Sequence, residues 1–378
     1  MHSGNNIGKM KQKISIIGDG IIGKMMAIAL HDLNFDVSLF HDQKYKKANE
    51  RYFSINLLSK YLFEEYHIWS LIKEKSINPY SKIVTWDDLQ TEEVLFESRN
   101  INQCELAYVI SESDILTAID SRIQKKSIKI NSMNILNENT NKYDYIINTI
   151  NNKNLSIDSQ SIYKTNYAQK AVVMNIDVDN SSNVAYQKFL KGQILGLIPI
   201  SCKSYNLIWS IDNKKIDNFL DKPKREIVNF LNSELEDKIG RINDCSGYSI
   251  FPLSGYLGKD CFYEKKIYIG SALHSIHPLA GLGLNMGLQE IYCLISKIKK
   301  NSEYIDKLSL YEFQDFIKSI NKKTYFGINF LKTFYCDLTS PHLRKYFLKS
   351  FNTSTILKRS VIRFATGLQT RDQISRRL

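Results

Sequence analysis

Residues 13–40 read KISIIGDGIIGKMMAIALHDLNFDVSLF, an order of residues that few folds accommodate. Ile14 to Ile17 reads as a short buried strand, Lys24 to Leu33 as an apolar helix, and Val37 to Phe40 as a second buried strand. Gly18, Gly20 and Gly23 stand between the first strand and the helix as G-x-G-x-x-G. Strand, glycine turn, helix and strand in so short a stretch predict a dinucleotide-binding unit, with a pyrophosphate at the helix N-terminus. In that reading Gly18 permits the tight turn, Gly20 lets the backbone approach the phosphates, and Gly23 lets the helix pack on the strand. The alternative is a glycine-rich βα turn with no ligand. The pattern expects an acidic residue at the end of the second strand, to hold the ribose hydroxyls. His41 stands there and Asp42 follows it. An imidazole offers one hydrogen bond; Asp42 takes the role if the strand ends one residue later, and is otherwise a solvated turn residue.

A second glycine-rich turn lies near the other end. Residues 267–294 read IYIGSALHSIHPLAGLGLNMGLQEIYCL. An apolar strand, Ile267 to Ile269, leads into Gly270, Pro278, Gly281, Gly283 and Gly287, and Leu284, Leu288, Ile291 and Leu294 recur at helical spacing. Such a turn leaves N–H groups unpaired at the positive end of the helix dipole, which favours a ligand with an anionic or electron-rich edge. The plainer alternative is a strand-turn-helix whose glycines only permit close packing.

The rest of the chain sets bounds. Its 378 residues exceed what one compact core usually holds, so two domains are expected. No apolar run reaches membrane-spanning length, and MHSGNNIGKMKQK lacks the apolar stretch of a secretion signal, which places the chain in the cytoplasm. Cys104, Cys202, Cys245, Cys261, Cys293 and Cys336 show no metal spacing and read as reduced, mostly buried residues. The net charge of +12 suits an anionic cofactor or surface, and no nucleic-acid motif accompanies it.

Between the glycine turns, residues 49–72 suggest a helix lying on the core, with Ile55, Leu58 and Leu62 inward. Arg51 precedes it, to pair with a phosphate or to sit on the surface. Residues 82–99 look like a strand and hairpin; Ser113 to Ile123 reads as a helix, and Ile128–Ile130 and Tyr143–Ile147 as strands extending the nucleotide-binding sheet. AVVMNIDV, QILGLIPI and SYNLIWSI, from Ala171 onward, read as antiparallel strands. Residues 222–235 are helical, 248–253 a strand, and the chain beyond Leu294 is helical and amphipathic. The fold class is α/β: a Rossmann-like dinucleotide-binding domain interleaved with a mainly antiparallel β-sheet substrate domain, and a helical C-terminal region. The division expected is 10–80, 104–158 and 259–300 for the cofactor domain, 81–103 and 159–258 for the substrate domain, and 301–378 for the helices.

The stretch G-x-A-x-H-x-x-H-P-x-A-G-x-G-x-N-x-G resembles the flavin signature of single-component flavoprotein monooxygenases with the p-hydroxybenzoate hydroxylase fold. HPLAGLGLNMGLQE, Arg51 with the helix after it, Leu197-Ile198-Pro199 and Phe251-Pro252-Leu253 are most similar to the ubiquinone-biosynthesis hydroxylases. The likeness runs from about Lys13 to Gly367. It implies an FAD whose pyrophosphate meets Gly18, Gly20 and Gly23, with Arg51 beside the cofactor and Pro278, Gly281, Gly283, Leu284 and Asn285 at the flavin ring. It implies hydroxylation of a polyprenylated phenol with NAD(P)H and O2 through a flavin hydroperoxide, NAD(P)H binding only transiently. No catalytic acid or base is required; His277 is a candidate, and His274 reads as structural.

Three positions depart from the family: Ser271 where it has Asp, His41 where it has Glu, and Asn148-Thr149-Ile150-Asn151-Asn152 where it has an Asp-Gly motif. Two other readings therefore stand beside the hydroxylase: a catalytically silent scaffold in a quinone-biosynthesis complex, and an FAD-dependent isoprenoid reductase. Finally, Ile356, Leu357, Val361, Phe364 and Leu368 with Lys358, Arg359 and Arg363 have the composition of an interfacial helix, which predicts docking on the inner, anionic face of a membrane.

Overall fold

A computed structural model describes residues 11–41, 50–89, 92–133, 140–151, 162–179, 182–220, 222–301, 304–337 and 340–376. β1 (Lys13–Ile17) and β2 (Asp36–His41) pair in parallel, Ile14 opposite Val37 and Ile17 opposite Phe40, with α1 (Ile21–Asp32) crossing between them. Then come β3 (Tyr52–Asn56), α2 (Leu57–Glu65), β4 (Asn78–Tyr80), β5 (Lys82–Asp87), β6 (Val94–Glu97), β7 (Ala107–Ser111) and α3 (Glu112–Lys125). β8 (Ile130–Ser132) and β9 (Tyr145–Asn148) return to the first sheet.

The chain next builds β10 (Ile162–Val178), β11 (Val184–Leu190), β12 (Gln193–Ser201), β13 (Ser204–Asp212), α4 (Asn213–Leu220), α5 (Lys224–Ile239), β14 (Ile242–Cys245) and β15 (Ser249–Gly258). β16 (Phe262–Tyr263) and β17 (Lys266–Tyr268) rejoin the first sheet and β18 (His274–Ser275) the second, ahead of α6 (Gly283–Lys300), α7 (Lys307–Lys332), α8 (Pro341–Thr353), α9 (Thr355–Ala365) and α10 (Leu368–Ser375).

Three sheets result. The first runs β16-β17-β9-β1-β2-β8, parallel apart from its terminal hairpin. The second runs β18-β15-β10-β13-β12-β11-β5-β6, with β14 on β10; it is antiparallel except where β11 lies parallel to β5. The third is β3-β7-β4. Residues 52–56, expected as the start of a helix, are a strand: Tyr52 to Asn56 pair with β7, and Asn56 caps α2 by accepting from Ser59 N at 2.9 Å. An aromatic and β-branched run followed by an Asx cap favours that division. α3 begins at Glu112, one residue earlier than the sequence suggested, with Ser111 as its cap, and β8 and β9 begin two residues later.

α1 is buried on nearly every face because it lies between the parallel sheet and the helices α3 and α6. The second sheet buries alternate residues on opposite faces. Leu195, Leu197, Leu207 and Trp209 meet α5, whose Ile227, Leu231, Leu235 and Ile239 are buried at intervals of four, and Trp209 stacks on Phe230 at 5.0 Å. The other face carries Ile194, Gly196, Ile198, Ile208 and Ser210, which line a cavity.

α7 ends in a π-helical turn, Thr333–Asp337, whose Tyr335 stacks on Phe189 of β11 with centroids 3.8 Å apart. The buried pair Arg344–Asp87, at 2.8 Å, fastens α8 to β5. The expected C-terminal apolar stripe divides. Ile356, Leu357 and Val361 are exposed, whereas Leu368 is buried in a small core with Leu106 and Val109, and Phe364 packs partly on the main core. Three of the six cysteines are buried (Cys245, Cys261, Cys293), while Cys104 and Cys202 are exposed, so the expectation of mostly buried thiols holds only for the inner half. Among the described residues no helix is long and apolar enough to cross a membrane.

Candidate active site

The first glycine turn closes on itself. Gly18 has φ +108°, and a Cβ there would meet Thr149 Oγ1 at 2.5 Å and Ile150 Cγ2 at 2.6 Å. A Cβ on Gly23 would overlap the Gly18 carbonyl oxygen, so α1 sits against the turn as only glycine allows. Gly20 differs. Its backbone is extended, it begins α1 without a side-chain cap, and a Cβ there would meet nothing within 4 Å. The helix N-terminus thus opens on space, with its first N–H groups lacking intrahelical acceptors. α6 begins in the same way: no side-chain cap, and open space around Gly283. Two uncapped helix ends beside glycines with room in front fit the pyrophosphate and the electron-rich ring edge of an FAD.

Asn285 holds the second turn in place. It is 3% exposed and uses its whole amide: Nδ2 donates to Ser54 O at 2.7 Å and Gly281 O at 3.1 Å, while Oδ1 accepts from Asn56 N at 3.0 Å and Ser59 Oγ at 2.8 Å. Its side chain is therefore spent inside the protein, tying the loop to β3 and α2.

His277 is also structural. It is fully buried, its Nδ1 accepts from Leu279 N at 3.2 Å, and Nε2 lies 3.1 Å from Gln169 Oε1. An accepting Nδ1 puts the proton on Nε2, so the ring is neutral. Burial, with a smaller push from Lys332, lowers its pKa to about 4. Tyr167 packs edge-on against the ring at 4.9 Å and its hydroxyl accepts from His277 N. With both nitrogens engaged internally, the ring is not available to a substrate. His274 lies 3.1 Å from Glu290 Oε1 but poorly aligned with it. Glu290, wholly buried, accepts from Gly270 N at 2.8 Å and Asn321 Nδ2 at 2.6 Å, bracing the turn from behind.

Beside the loop lies a cavity of about 300 Å³. Its walls are Tyr52 to Ser54 and Tyr80 from the small sheet, the open face of the large sheet, and Ile276, Pro278, Leu279, Gly281, Gly283 and Leu284 from the second glycine turn. No charged residue lines it among the described residues.

The remaining expected residues are placed as follows. Arg51 forms a two-pronged ion pair with Glu112, Nε to Oε2 at 2.7 Å, so its charge is already matched by a carboxylate. Ser271 is exposed and donates to Thr149 O at 3.0 Å, which leaves its oxygen able to accept. The Tyr256 hydroxyl donates to Ser271 O, and burial pushes Tyr256 up to about 12. His41 is the last residue of β2 and half-buried; Asp42 and Asn152 lie outside the described residues. Sequence reasoning missed Ser54, Tyr80, Gln187 and Glu290. A serine in an apolar strand or a glutamate on a helix carries no local signal of what it meets.

The comparisons with known proteins agree with this geometry. A family model described as an FAD binding domain matches residues 148–303. The chain is 24% identical to the ubiquinone biosynthesis monooxygenase COQ6 of Dictyostelium discoideum, over 94% of this chain and 91% of that one. It is 19% identical to the 3-demethoxyubiquinol 3-hydroxylase of Escherichia coli, over 94% and 98%. The structure of PqsL, a probable FAD-dependent monooxygenase from Pseudomonas aeruginosa, superposes with a TM-score of 0.69 at 12% identity, covering 91% of this chain and all of that one. p-Nitrophenol 4-monooxygenase from Pseudomonas putida gives 0.70 at 10% identity, covering 96% and 98%. The fold is of the p-hydroxybenzoate hydroxylase type, and the family model and relatives make the chain an FAD-dependent monooxygenase. Within that class the relatives it matches along nearly its whole length are ubiquinone-biosynthesis FAD-dependent hydroxylases, to which the chain is similar at 19–24% identity.

Proposed function

We propose that the protein hydroxylates the aromatic ring of a polyprenylated phenol in ubiquinone biosynthesis, with FAD as resident cofactor and NAD(P)H as transient reductant. The observation that carries this reading is the uncharged, mostly apolar cavity against the flavin loop. A benzoate-type substrate needs a cation to offset its carboxylate. A neutral phenol with an apolar tail needs only apolar walls and a few hydroxyls, which this cavity has.

Gly18, Gly20, Gly23 and the N-terminus of α1 receive the pyrophosphate, with His41, or Asp42, at the ribose. Arg51 stands beside the cofactor, its affinity for phosphate moderated by Glu112. Ser271 offers its oxygen to a ribityl hydroxyl. Pro278, Gly281, Gly283, Leu284 and Asn285 frame the ring, Asn285 by fixing the loop and Gly283 and Leu284 by their N–H groups at the start of α6. Bound FAD supplies the chemistry of oxygen activation. The protein's part is to orient the phenol and exclude water. In this assignment residues 10–80, 104–158 and 259–300 form the cofactor domain, and 81–103 and 159–258 the substrate domain. A neutral Ser271 in place of a charged grip lowers cofactor affinity by roughly tenfold, taking the lost charge assistance as about 1.5 kcal/mol.

The substrate's tail lives in a bilayer, and the C-terminal helices offer a docking face. Leu343 (64% exposed), Tyr346 (76%) and Ile356 (83%) stand out on α8 and α9. Phe330, Phe334 and Phe347 form a chain of rings at 5.8 and 5.0 Å. Lys345, Lys349, Lys358 and Arg359 lie on the same two helices. Exposed aromatics with lysine are the composition of a membrane-interface surface.

Titration with FAD tests the core of the reading. Saturating FAD raises the melting temperature, and the loaded protein with NAD(P)H incorporates labelled oxygen from O2 into a long-chain alkylphenol. Absence of a melting shift refutes the cofactor assignment. A shift without labelled product refutes the hydroxylase assignment and leaves the reductase or scaffold.

A further inference from the structure

Three polar groups line the mostly apolar cavity. Ser54 Oγ and Tyr80 OH lie 2.7 Å apart, and either one is able to donate to the other. Ser54 is on β3 and Tyr80 on β4, which flank β7 in the small sheet. Tyr80 is 6% exposed, and burial raises its pKa above the usual phenol range, so it stays a neutral hydroxyl. The pair sits at the flavin-loop end of the cavity. The Ser54 carbonyl is held by Asn285, and a Cβ on Gly281 would stand 3.8 Å from Ser54 Cβ. A hydroxyl pair whose direction of donation is free both gives and accepts a hydrogen bond, which matches a phenol O–H and matches neither an ether nor a carboxylate as well.

The third group is Gln187 on β11. It lines the same cavity, is 9% exposed, and its Nε2 has no hydrogen-bond partner. A buried donor left unsatisfied is costly, and a cavity wall is where a ligand acceptor removes that cost. Its cross-strand neighbours are Thr85 and Gly196. Gly196 has no side chain, and a Cβ there would meet only Ile208 O at 3.6 Å, so the sheet leaves room beside Gln187.

We propose that the Ser54–Tyr80 hydroxyl pair and the Gln187 amide orient the ring by two different oxygen substituents: a hydroxyl on the pair and a purely accepting oxygen, an ether or a carbonyl, on Gln187. The substrate class is therefore a neutral ring carrying at least two oxygens. The hydroxyl is held at the flavin-loop end, which sets the ring carbon presented for reaction. This deepens the hydroxylase reading and rests on it only in taking the cavity as the seat of the ring.

The test measures binding to the full chain by calorimetry with three probes: 4-hexylphenol, its methyl ether 4-hexylanisole, and 4-hexyl-2-methoxyphenol. In the wild type the phenol binds roughly three- to tenfold tighter than the anisole, and the methoxyphenol tighter than the phenol by a similar factor, each factor being one neutral hydrogen bond. In Ser54→Ala/Tyr80→Phe the first ratio collapses to one and the second survives. In Gln187→Met the reverse holds. A purely structural role lowers the melting temperature of a variant without changing either ratio. If the double variant does not fold, Ser54→Ala alone carries the test. Ratios that persist in both variants, or a wild type that binds none of the probes, overturn the inference. Failure of the hydroxylase reading shows separately, as normal binding ratios without labelled product from the FAD-loaded wild type.

Discussion

Asn285→Ala is the sharpest probe of how the flavin loop is held. The substitution removes four hydrogen bonds at once and strands two buried donors, Asn56 N and Ser59 Oγ. At about 1–3 kcal/mol for each stranded donor, the loss comes to about 4 kcal/mol. Unfolding entropy of about 2.1 cal/mol/K per residue over 378 residues gives about 0.8 kcal/mol/K, so the melting temperature falls by about 5 °C. Scanning calorimetry of the cofactor-free protein measures this without reference to activity. Asn285→Asp is close in shape and keeps the accepting oxygen. It replaces the Nδ2 donor with a second acceptor facing the carbonyls of Ser54 and Gly281, so it melts no higher than the alanine variant. FAD affinity falls in both, because the loop loses its tie to β3. An Asn285→Ala protein that melts within 1 °C of wild type refutes the claim that this side chain holds the loop.

Three further outcomes follow from the structure. His277 has a folded pKa of about 4 against an ordinary value of 6.5, so below pH 6.5 the unfolded chain takes up a proton that the folded one refuses. Stability is then complete above pH 6.5 and declines as pH falls toward 4, by about 3 kcal/mol in all. Denaturant melts at pH 7 and 5 should show this decline in wild type and a shallower one in His277→Gln; equal slopes contradict the assignment. Gly23→Ala should fail to fold or lose more than about 3 kcal/mol, since its Cβ overlaps Gly18 O, whereas Gly20→Val should keep the cofactor-free melting temperature and weaken FAD binding at least tenfold. A Gly20→Val protein that binds FAD as wild type does would move the pyrophosphate elsewhere. Tyr346→Glu/Ile356→Glu should leave folding intact, both side chains being exposed, and abolish flotation with anionic liposomes; unchanged flotation would show that α8 and α9 are not the docking face.

The strongest local patterns of this chain were legible in its sequence because the physics behind them is local. The parallel βαβ start follows from apolar runs of two periods separated by glycines, and the structure places both strands within a residue of that reading and the helix start three residues earlier, at Ile21. The second glycine turn and the antiparallel strands rest on the same kind of signal. Where sequence reasoning slipped, a long-range partner had decided the outcome. Residues 52–56 are a strand because β7 supplies the pairing, and Leu368 is buried because the core lies against it while Ile356 faces solvent from the neighbouring helix. The resemblance carried by the second glycine turn likewise implied a flavin-type chemistry without showing which residues it meets. That His277 is sealed by Gln169 and Leu279, that Arg51 is held by Glu112, and that Ser54 meets Tyr80 depend on contacts between residues 26 to 108 positions apart, as well as on one local cap. Local periodicity determines which elements form; only their packing in three dimensions decides which side chains are spent on the fold and which are left to face a ligand.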